Sequence, residues 1–580
     1  MKKVKLFSFA LAALMLGACT NEDVIDNGGN GTVLPGEKGY ISLGINLPTT
    51  PSSRALNDQF ADGTPAEYAV KNATLIIFEG TTEADATVTG VYNLGTEFAG
   101  TATADDNITT TYQLTQQINK PAAGNNLYAL VVLNKGDINL EDENLTTLEK
   151  FTTIAQTNDF LDADNAILMT NAPLYTTPGG TNDPYGGKVV TLTEINPENV
   201  FTTEAEAQAN PAANVYVERA LAKVTVNANA DGYTPESNAK FTKAEVTGYA
   251  LDVTNKTSYL VRNMTSSNSW WSYNAARATS PEADADDDYR FVGSVPVSAG
   301  LYRTYWGVDP NYGGYNASND FDRAVITSSS SLKGVGEASY CKENTFDVEN
   351  QKQDGTTRVI VAAKIMVDGF SDGESFYTLD NNKDILYHEN TIKDAIKSYF
   401  IENEQVNAVL TKNLKAPLSD QDKEEKITVQ FDENSTNGDL TVERVTFDPS
   451  LFDVFPPELT DENPVYGAAL GEVNSHVYSR YEGGIAYYPV MIKHFGDDLT
   501  PWSAENKTSS YPTPDAEAKW LGRYGVLRNN WYDISVTSIK SIGYAEVPDV
   551  YPTFDDPVES WISVKINVLS WAKRTQNVDL

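Results

Sequence analysis

The chain has little of what catalysis or covalent cross-linking requires. Its 580 residues include two cysteines, Cys19 and Cys341, and three histidines, His388, His476 and His494. Two cysteines exclude a disulfide framework, so stability must come from burial and strand pairing. The histidines show no metal-ligand spacing, and no metal or cofactor is expected. No Gly-rich phosphate loop, Gly-x-Ser-x-Gly elbow or His-Glu-x-x-His helix occurs, since Glu389-Asn390-Thr391-Ile392 follows His388. An enzyme is therefore not expected. The run Asp284, Asp286, Asp287 and Asp288 lacks the glycine turn and distal glutamate of an EF-hand loop and reads as a solvated loop. Basic residues are also scarce, 43 against 80 acidic ones, and a net charge of -37 repels nucleic acid and anionic headgroups. The early apolar run, Leu6 to Leu16, is too short to span a bilayer stably. Preceded by Lys2, Lys3 and Lys5 and followed by Gly17-Ala18-Cys19, it reads as a signal peptide ending in a lipobox. Cys19 is then the acylated residue, and Cys341 is left as a packed thiol.

What the chain has is alternation. Short β-type runs separated by Gly, Pro, Asn and Asp predict a mainly β protein, two antiparallel sandwiches in series with helical and loop insertions. A hydrophobic content of 41% in 580 residues exceeds one core and fits two domains. Ala73 to Phe78, Tyr92 to Phe98, Leu127 to Leu133 and Lys188 to Leu192 read as strands of the first. Leu127 to Leu133 is nearly all apolar, as a strand covered on both faces should be. Thr147 to Phe160 has helical spacing. The second domain is expected to begin with Val215 to Val226, after the polar stretch around Asn210 to Asn214. It continues through Phe241 to Leu251, Thr357 to Val367, Ile427 to Phe431, Gly484 to His494 and Trp531 to Ile542. Two insertions interrupt it: an aromatic one, Asn263 to Tyr315, with Trp270, Trp271, Tyr305, Trp306, Tyr312 and Tyr315, and a helical one, Asn390 to Ala408.

Two segments near the ends attract attention. Residues 39 to 47 alternate, with Ile41, Leu43, Ile45 and Leu47 on one face, and Pro51-Ser52-Ser53-Arg54-Ala55 follows as a small-residue basic site. A cut after Arg54 would delete a complete strand. Its loss would leave about 6–12 kcal/mol of apolar burial unmet, at roughly 1.5–3 kcal/mol for each of these side chains. The open edges would template another extended chain, whose register is set by the two-residue side-chain period. Near the far end, Trp561 to Trp571 alternates with Ile562, Val564, Ile566 and Val568 on one face, and Ala572 to Leu580 runs on free of proline. An apolar terminal strand needs a partner.

The lipobox, Ser53-Arg54-Ala55, Val217-Glu-Arg-Ala-Leu-Ala-Lys223, Tyr524-Gly-Val-Leu-Arg-Asn-Asn530, and the ending Val568-Leu-Ser-Trp571 with Val578-Asp-Leu580 together resemble the fimbrillins of Bacteroidales. Among these the shaft subunits of the short, or minor, fimbriae are most alike. Glu22 and Asp23 behind Cys19 likewise look like the acidic export tag of surface lipoproteins in that group. The resemblance implies transthyretin-like sandwiches and a type V pilus subunit, exported as an outer-membrane lipoprotein and cut after an arginine by a trypsin-like or gingipain-like protease. It further implies polymerisation, in which the carboxyl-terminal segment of one subunit fills the groove left by the removed strand of another. On this chain Cys19 is the lipid site and Arg54-Ala55 the scissile bond. Ile41, Leu43, Ile45 and Leu47 mark the removed strand, and Ile562, Val564, Ile566, Val568, Val578 and Leu580 the donor. The implied partners are identical subunits, anchor and tip subunits, and the processing protease.

The division expected is a leader over 1–19, a propeptide over 20–54, sandwiches over 55–214 and 215–560, and a donor region over 561–580. Plainer readings stand beside it: an edge strand that is never removed, a surface arginine, and a terminal strand permanently seated in its own domain. A monomeric, surface-tethered glycan-binding lipoprotein using the aromatic insertion is the alternative from another class, and a fimbrial anchor or tip subunit is a third.

Overall fold

The computed structural model describes residues 36–48, 64–264, 292–494 and 522–575, with short interruptions inside these stretches. Cys19, Arg54, Ala55, Trp270, Trp271, the run Asp284 to Asp288, Val578 and Leu580 lie outside the described residues.

The described chain is mainly β. Its first two-layer unit begins with an opening strand, Lys38–Pro48, beside Ile108–Asn119 and the short Gly100–Ala102. The facing section orders Thr87–Asn93, Ala73–Gly80, Asn126–Leu133 and Met169–Asn171. One strand, Ala213–Arg219, serves both sections. Its first half runs parallel to the opening strand, Leu43 opposite Ala213 and Asn46 opposite Tyr216, and its second half runs antiparallel to Met169–Asn171.

Asn126–Leu133 explains its own apolar run. Leu127, Ala129, Val131 and Leu133 fill the core between the two sections, while Tyr128, Leu130 and Val132 fill a second core on the opposite face with Ile76, Phe78 and Phe151. Phe151 belongs to a helix, Leu148–Thr153, that is shorter than its spacing predicts. The helix ends because Ala155–Gln156 pairs as a strand with Ser258–Tyr259.

In the second unit a five-stranded sheet orders Ala338–Cys341, Ala222–Asn227, Trp531–Ile539, Ile562–Leu569 and Arg574–Thr575. A three-stranded sheet of Lys243–Asp252, Arg358–Met366 and Ile485–Met491 packs against it through Val224, Val226, Val361, Tyr488, Tyr532 and Ile534. Cys341 is buried here, and burial pushes its thiol up to about 12.

Sheet membership changes between Arg219 and Ala222, so Val215 to Val226 is not one strand. Its apolar side chains continue without a breaker across a bend at Ala220 and Leu221, both buried, and the sequence pattern therefore hides the switch. The helical insertion is likewise larger than its spacing predicts. Helices Glu389–Glu402, Glu404–Asn413, Asp420–Lys426 and Pro464–Val473 surround the hairpin of Ile427–Phe431 and Val442–Phe447. Ile392, Ile396, Phe400, Val445, Phe447 and Tyr466 share its separate core. Asn403 splits the expected helix because its side chain accepts from Gln405 N and Val406 N, capping the next one. The unit joins the second sandwich through a two-strand stem, Phe376–Leu379 against Tyr478–Tyr481.

In the aromatic insertion Tyr305, Trp306 and Tyr312 are buried with Phe346, Tyr524 and Leu527. Asp309, from the same segment, is fully buried too, accepting from Asn311 N, Thr345 N and Asn255 Nδ2 at 2.6–2.8 Å. Burial pushes its carboxyl up to about 7 against these three donors, with Glu343 adding repulsion. An acid with a raised folded pKa binds more protons folded than unfolded, so stability falls as pH rises. Asp309's contribution is present in full below the ordinary carboxylate range and gone above about 7. Melting temperature should therefore fall less steeply between pH 5 and pH 8 in Asp309→Asn than in the parent, whatever constant offset the substitution brings; equal slopes by calorimetry would refute this assignment.

Candidate functional site: the opening strand and its seat

The opening strand is a central strand with two partners. Along one edge it runs antiparallel to Ile108–Asn119 from Lys38 opposite Asn119 to Pro48 opposite Ile108, and along the other it meets Ala213–Arg219. Tyr40 and Phe201 exchange backbone hydrogen bonds at 2.7 and 2.9 Å, and Ala212 N donates to Ser42 O at 2.6 Å. The two-residue period then decides what each side chain meets. Ile41, Leu43 and Ile45 are completely buried and Leu47 is 2% exposed, all four in the core between the sections.

The opposite face is polar yet also covered. Ser42 Oγ accepts from Gln113 Nε2 at 3.1 Å, and Asn46 Oδ1 accepts from Thr111 Oγ1 at 3.0 Å. The short helix Glu204–Ala209 lies over it, with Ala207 fully buried. Gly44 sits where any Cβ would collide with the Asn214 side chain. This seat therefore accepts an extended chain with alternate apolar residues and a small residue in the middle of its other face.

The carboxyl-terminal alternation is differently placed from a loose end. Ile562–Leu569 is seated antiparallel to Trp531–Ile539, Ile566 opposite Ile534 and Val564 opposite Val536. Val564 and Ile566 are 1% and 2% exposed in the second sandwich's core. Beyond Leu569 the pairing thins to two residues, Arg574 and Thr575, opposite Val568 and Asn567. Val564 and Ile566 thus already have a home partner, because the strand next to them brings Val536 and Ile534 into the same core.

The seat ends in a buried charged joint that sequence reading missed. Glu218, at the end of the shared strand, receives Arg262 Nη2 at 2.7 Å. Arg219 Nε donates to Glu67 O at 2.8 Å. Glu67 Oε1 then meets Lys223 Nζ at 2.7 Å and accepts from Tyr340 OH at 2.6 Å, both groups belonging to the second sandwich. Burial would raise the Glu67 carboxyl, but Lys223, Tyr340 and Thr64 N together hold it below its ordinary range. For Glu218 burial prevails over the neighbouring arginines and pushes the carboxyl up. Arg528 Nε reaches Glu343 at 3.2 Å, and its Nη2 donates to Ser258 Oγ and Tyr259 O, each at 2.9 Å. The segments Val217 to Lys223 and Tyr524 to Asn530 therefore converge here: Asn529 N donates to Leu221 O, and Lys223 N to Asn530 O. No local signal reveals this joint, since its members are scattered between positions 67 and 530.

Among the described residues no group of three or more His, Cys, Asp or Glu side chains is arranged to hold a metal ion. The buried Tyr305, Trp306 and Tyr312 offer no stacking surface for a sugar ring.

A family model described as major fimbrial subunit protein type IV, Fimbrillin, C-terminal, matches residues 479–577. No curated protein matches the chain. Solved structures similar to it include a fimbrilin from Porphyromonas gingivalis, at 12% identity and TM-score 0.34, covering 93% of this chain and 99% of that one. A putative cell adhesion protein from Bacteroides eggerthii follows at 10% identity and TM-score 0.34, covering 94% and 98%. A fimbrial assembly protein from Parabacteroides distasonis matches at 12% identity and TM-score 0.28, covering 57% and 82%. At these scores the structural likeness carries no argument, and the family likeness rests on the matched region. That region starts in the stem strand Tyr478–Tyr481 and takes in Ile485–Met491, Trp531–Ile539 and Ile562–Leu569. Over this carboxyl-terminal region, residues 479–577, the chain is similar to the fimbrillin family.

Proposed function

We propose that the chain is a structural subunit of a cell-surface fimbrium, the shaft subunit of a short one, and supports adhesion. It is exported as a lipoprotein acylated on Cys19, held in the outer membrane, and cut between Arg54 and Ala55 by a trypsin-like or gingipain-like protease. A carboxyl-terminal segment of a second copy then fills the seat of Lys38–Pro48, and other subunits anchor and cap the polymer. The observation that carries this reading is the opening strand itself: Ile41, Leu43, Ile45 and Leu47 sit deep in a core, yet the strand lies entirely before Arg54. Its removal would strand about 6–12 kcal/mol of burial together with two rows of backbone donors and acceptors. Only an extended chain restores both.

For the donor we assign the segment beyond Leu569, with Val578 and Leu580 as its apolar contacts. Among the described residues, detaching it sacrifices two ladder positions, whereas extracting Ile562–Leu569 would expose Val564 and Ile566, at roughly 1.5–3 kcal/mol each. The segment beyond Leu569 is the cheaper one to release.

Surface-extracted wild-type protein should begin at Ala55, and Arg54→Ala should give lipidated precursor without filaments; normal filaments from that variant would sink the cleavage step. Leu43→Ala should destabilise the precursor by about 2–5 kcal/mol, yet leave the melting of assembled filaments unchanged because the strand is discarded. A filament destabilised to the same degree would mean that the strand stays. Truncation after Leu569 should abolish assembly with little change in monomer melting, while Val564→Asp should unfold the second sandwich, a carboxylate in that core costing several kcal/mol. Filaments of normal length from the truncated chain would return the donor role to Ile562–Leu569.

A further inference from the structure

We infer that the charged joint at the end of Ala213–Arg219 is a brace that keeps one wall of the seat in place once the opening strand has gone. This rests on the proposed processing. When Lys38–Pro48 leaves, its two neighbours fare unequally. Among the described residues, the strand pairing that Ile108–Asn119 keeps is with Gly100–Ala102, three residues long, beside the hydrogen bond from Gln113 Nε2 to Gln208 O at 2.9 Å. Ala213–Arg219 loses its partner over Ala213 to Tyr216 but keeps Met169–Asn171 along Val217 to Arg219.

That surviving end is where the charges concentrate. Glu218 is held by Arg262, and Arg262 Nη1 in turn donates to Tyr305 O at 2.8 Å. Arg219 is held by the Glu67 carbonyl, and Glu67 is fixed from the second sandwich by Lys223 and Tyr340. The Lys223 ammonium also lies 4.0 Å from the centre of the Trp531 ring. Each tie leads away from the opening strand, so none is broken by its departure. Glu67 also lies beyond Ala55, in the turn Pro65–Tyr68, and so remains in the processed chain. The seat is thus a rigid wall facing a loosened one. An incoming strand pairs first with Ala213 to Tyr216, whose position is set by the braced Val217 to Arg219 and fixes its register, and closes onto Ile108–Asn119 afterwards.

The test is hydrogen exchange by mass spectrometry on the full-length chain, before and after nicking at Arg54 and release of the amino-terminal fragment. In the wild type, Val217 to Arg219 should stay protected after release, while Ile108 to Asn119 loses protection by about tenfold or more. Glu67→Gln combined with Lys223→Met removes both charges of one tie together and leaves neither buried alone. This double variant should match the wild type before nicking and lose protection at both walls after release. Tyr340→Phe, which removes a single hydroxyl, should give an intermediate loss and serves if the double variant does not fold. Equal protection of Val217 to Arg219 in wild type and variants after release would overturn the brace, as would loss of both walls in the wild type. Failure of the nicked wild type to release its fragment would overturn the proposed processing and the brace with it.

Discussion

A single strand, Ala213–Arg219, has to satisfy two neighbours, and the arrangement of the first sandwich follows from that. Its first half completes the section that holds the opening strand, and its second half completes the opposite section. Val215 and Val217 point into the core that both sections share. A shift of one residue would turn these side chains out and disturb two sheets at once. The strand is therefore held in register from both sides, and the seat of Lys38–Pro48 inherits that precision.

Its far end is fixed by charge rather than by apolar packing. Burying Glu67, Glu218, Glu343, Arg262 and Arg528 carries a desolvation penalty that paired charges only partly offset. What such pairs supply is geometry, because each holds its partners at short range in a defined orientation. Apolar contacts alone would tolerate sliding between the two sandwiches; the ties from Glu67 to Lys223 and Tyr340 do not. The same region contains Asp309, whose carboxyl burial drives toward protonation near neutrality. Next to the joint, the folded chain is therefore sensitive to pH.

Legibility in the sequence followed the range of the interaction. Ile41, Leu43, Ile45 and Leu47 were assigned to one buried face from alternation alone, and all four occupy the core. Leu127 to Leu133 was readable as a doubly covered strand because nearly every position is apolar. Ile392, Ile396 and Phe400 declared a helix by their spacing, although the Asn403 cap and the surrounding unit did not show. Trp306, one of an aromatic group read as packing with sugar stacking as the alternative, is core. The joint escaped notice because Glu67 and Lys223 are far apart in the chain and have no shared periodicity.

Alternation and composition by themselves determined the mainly β class, the inward faces of the strands, and the presence of an apolar strand before Arg54. These depend on backbone geometry within a few residues, where the two-residue period leaves little choice. Tertiary structure alone decided which strands are neighbours, that Ile562–Leu569 is already seated, and that buried charges tie the end of the seat to the second sandwich. Those outcomes turn on which of several equally apolar faces meet, and on contacts between residues hundreds of positions apart, which no local pattern encodes.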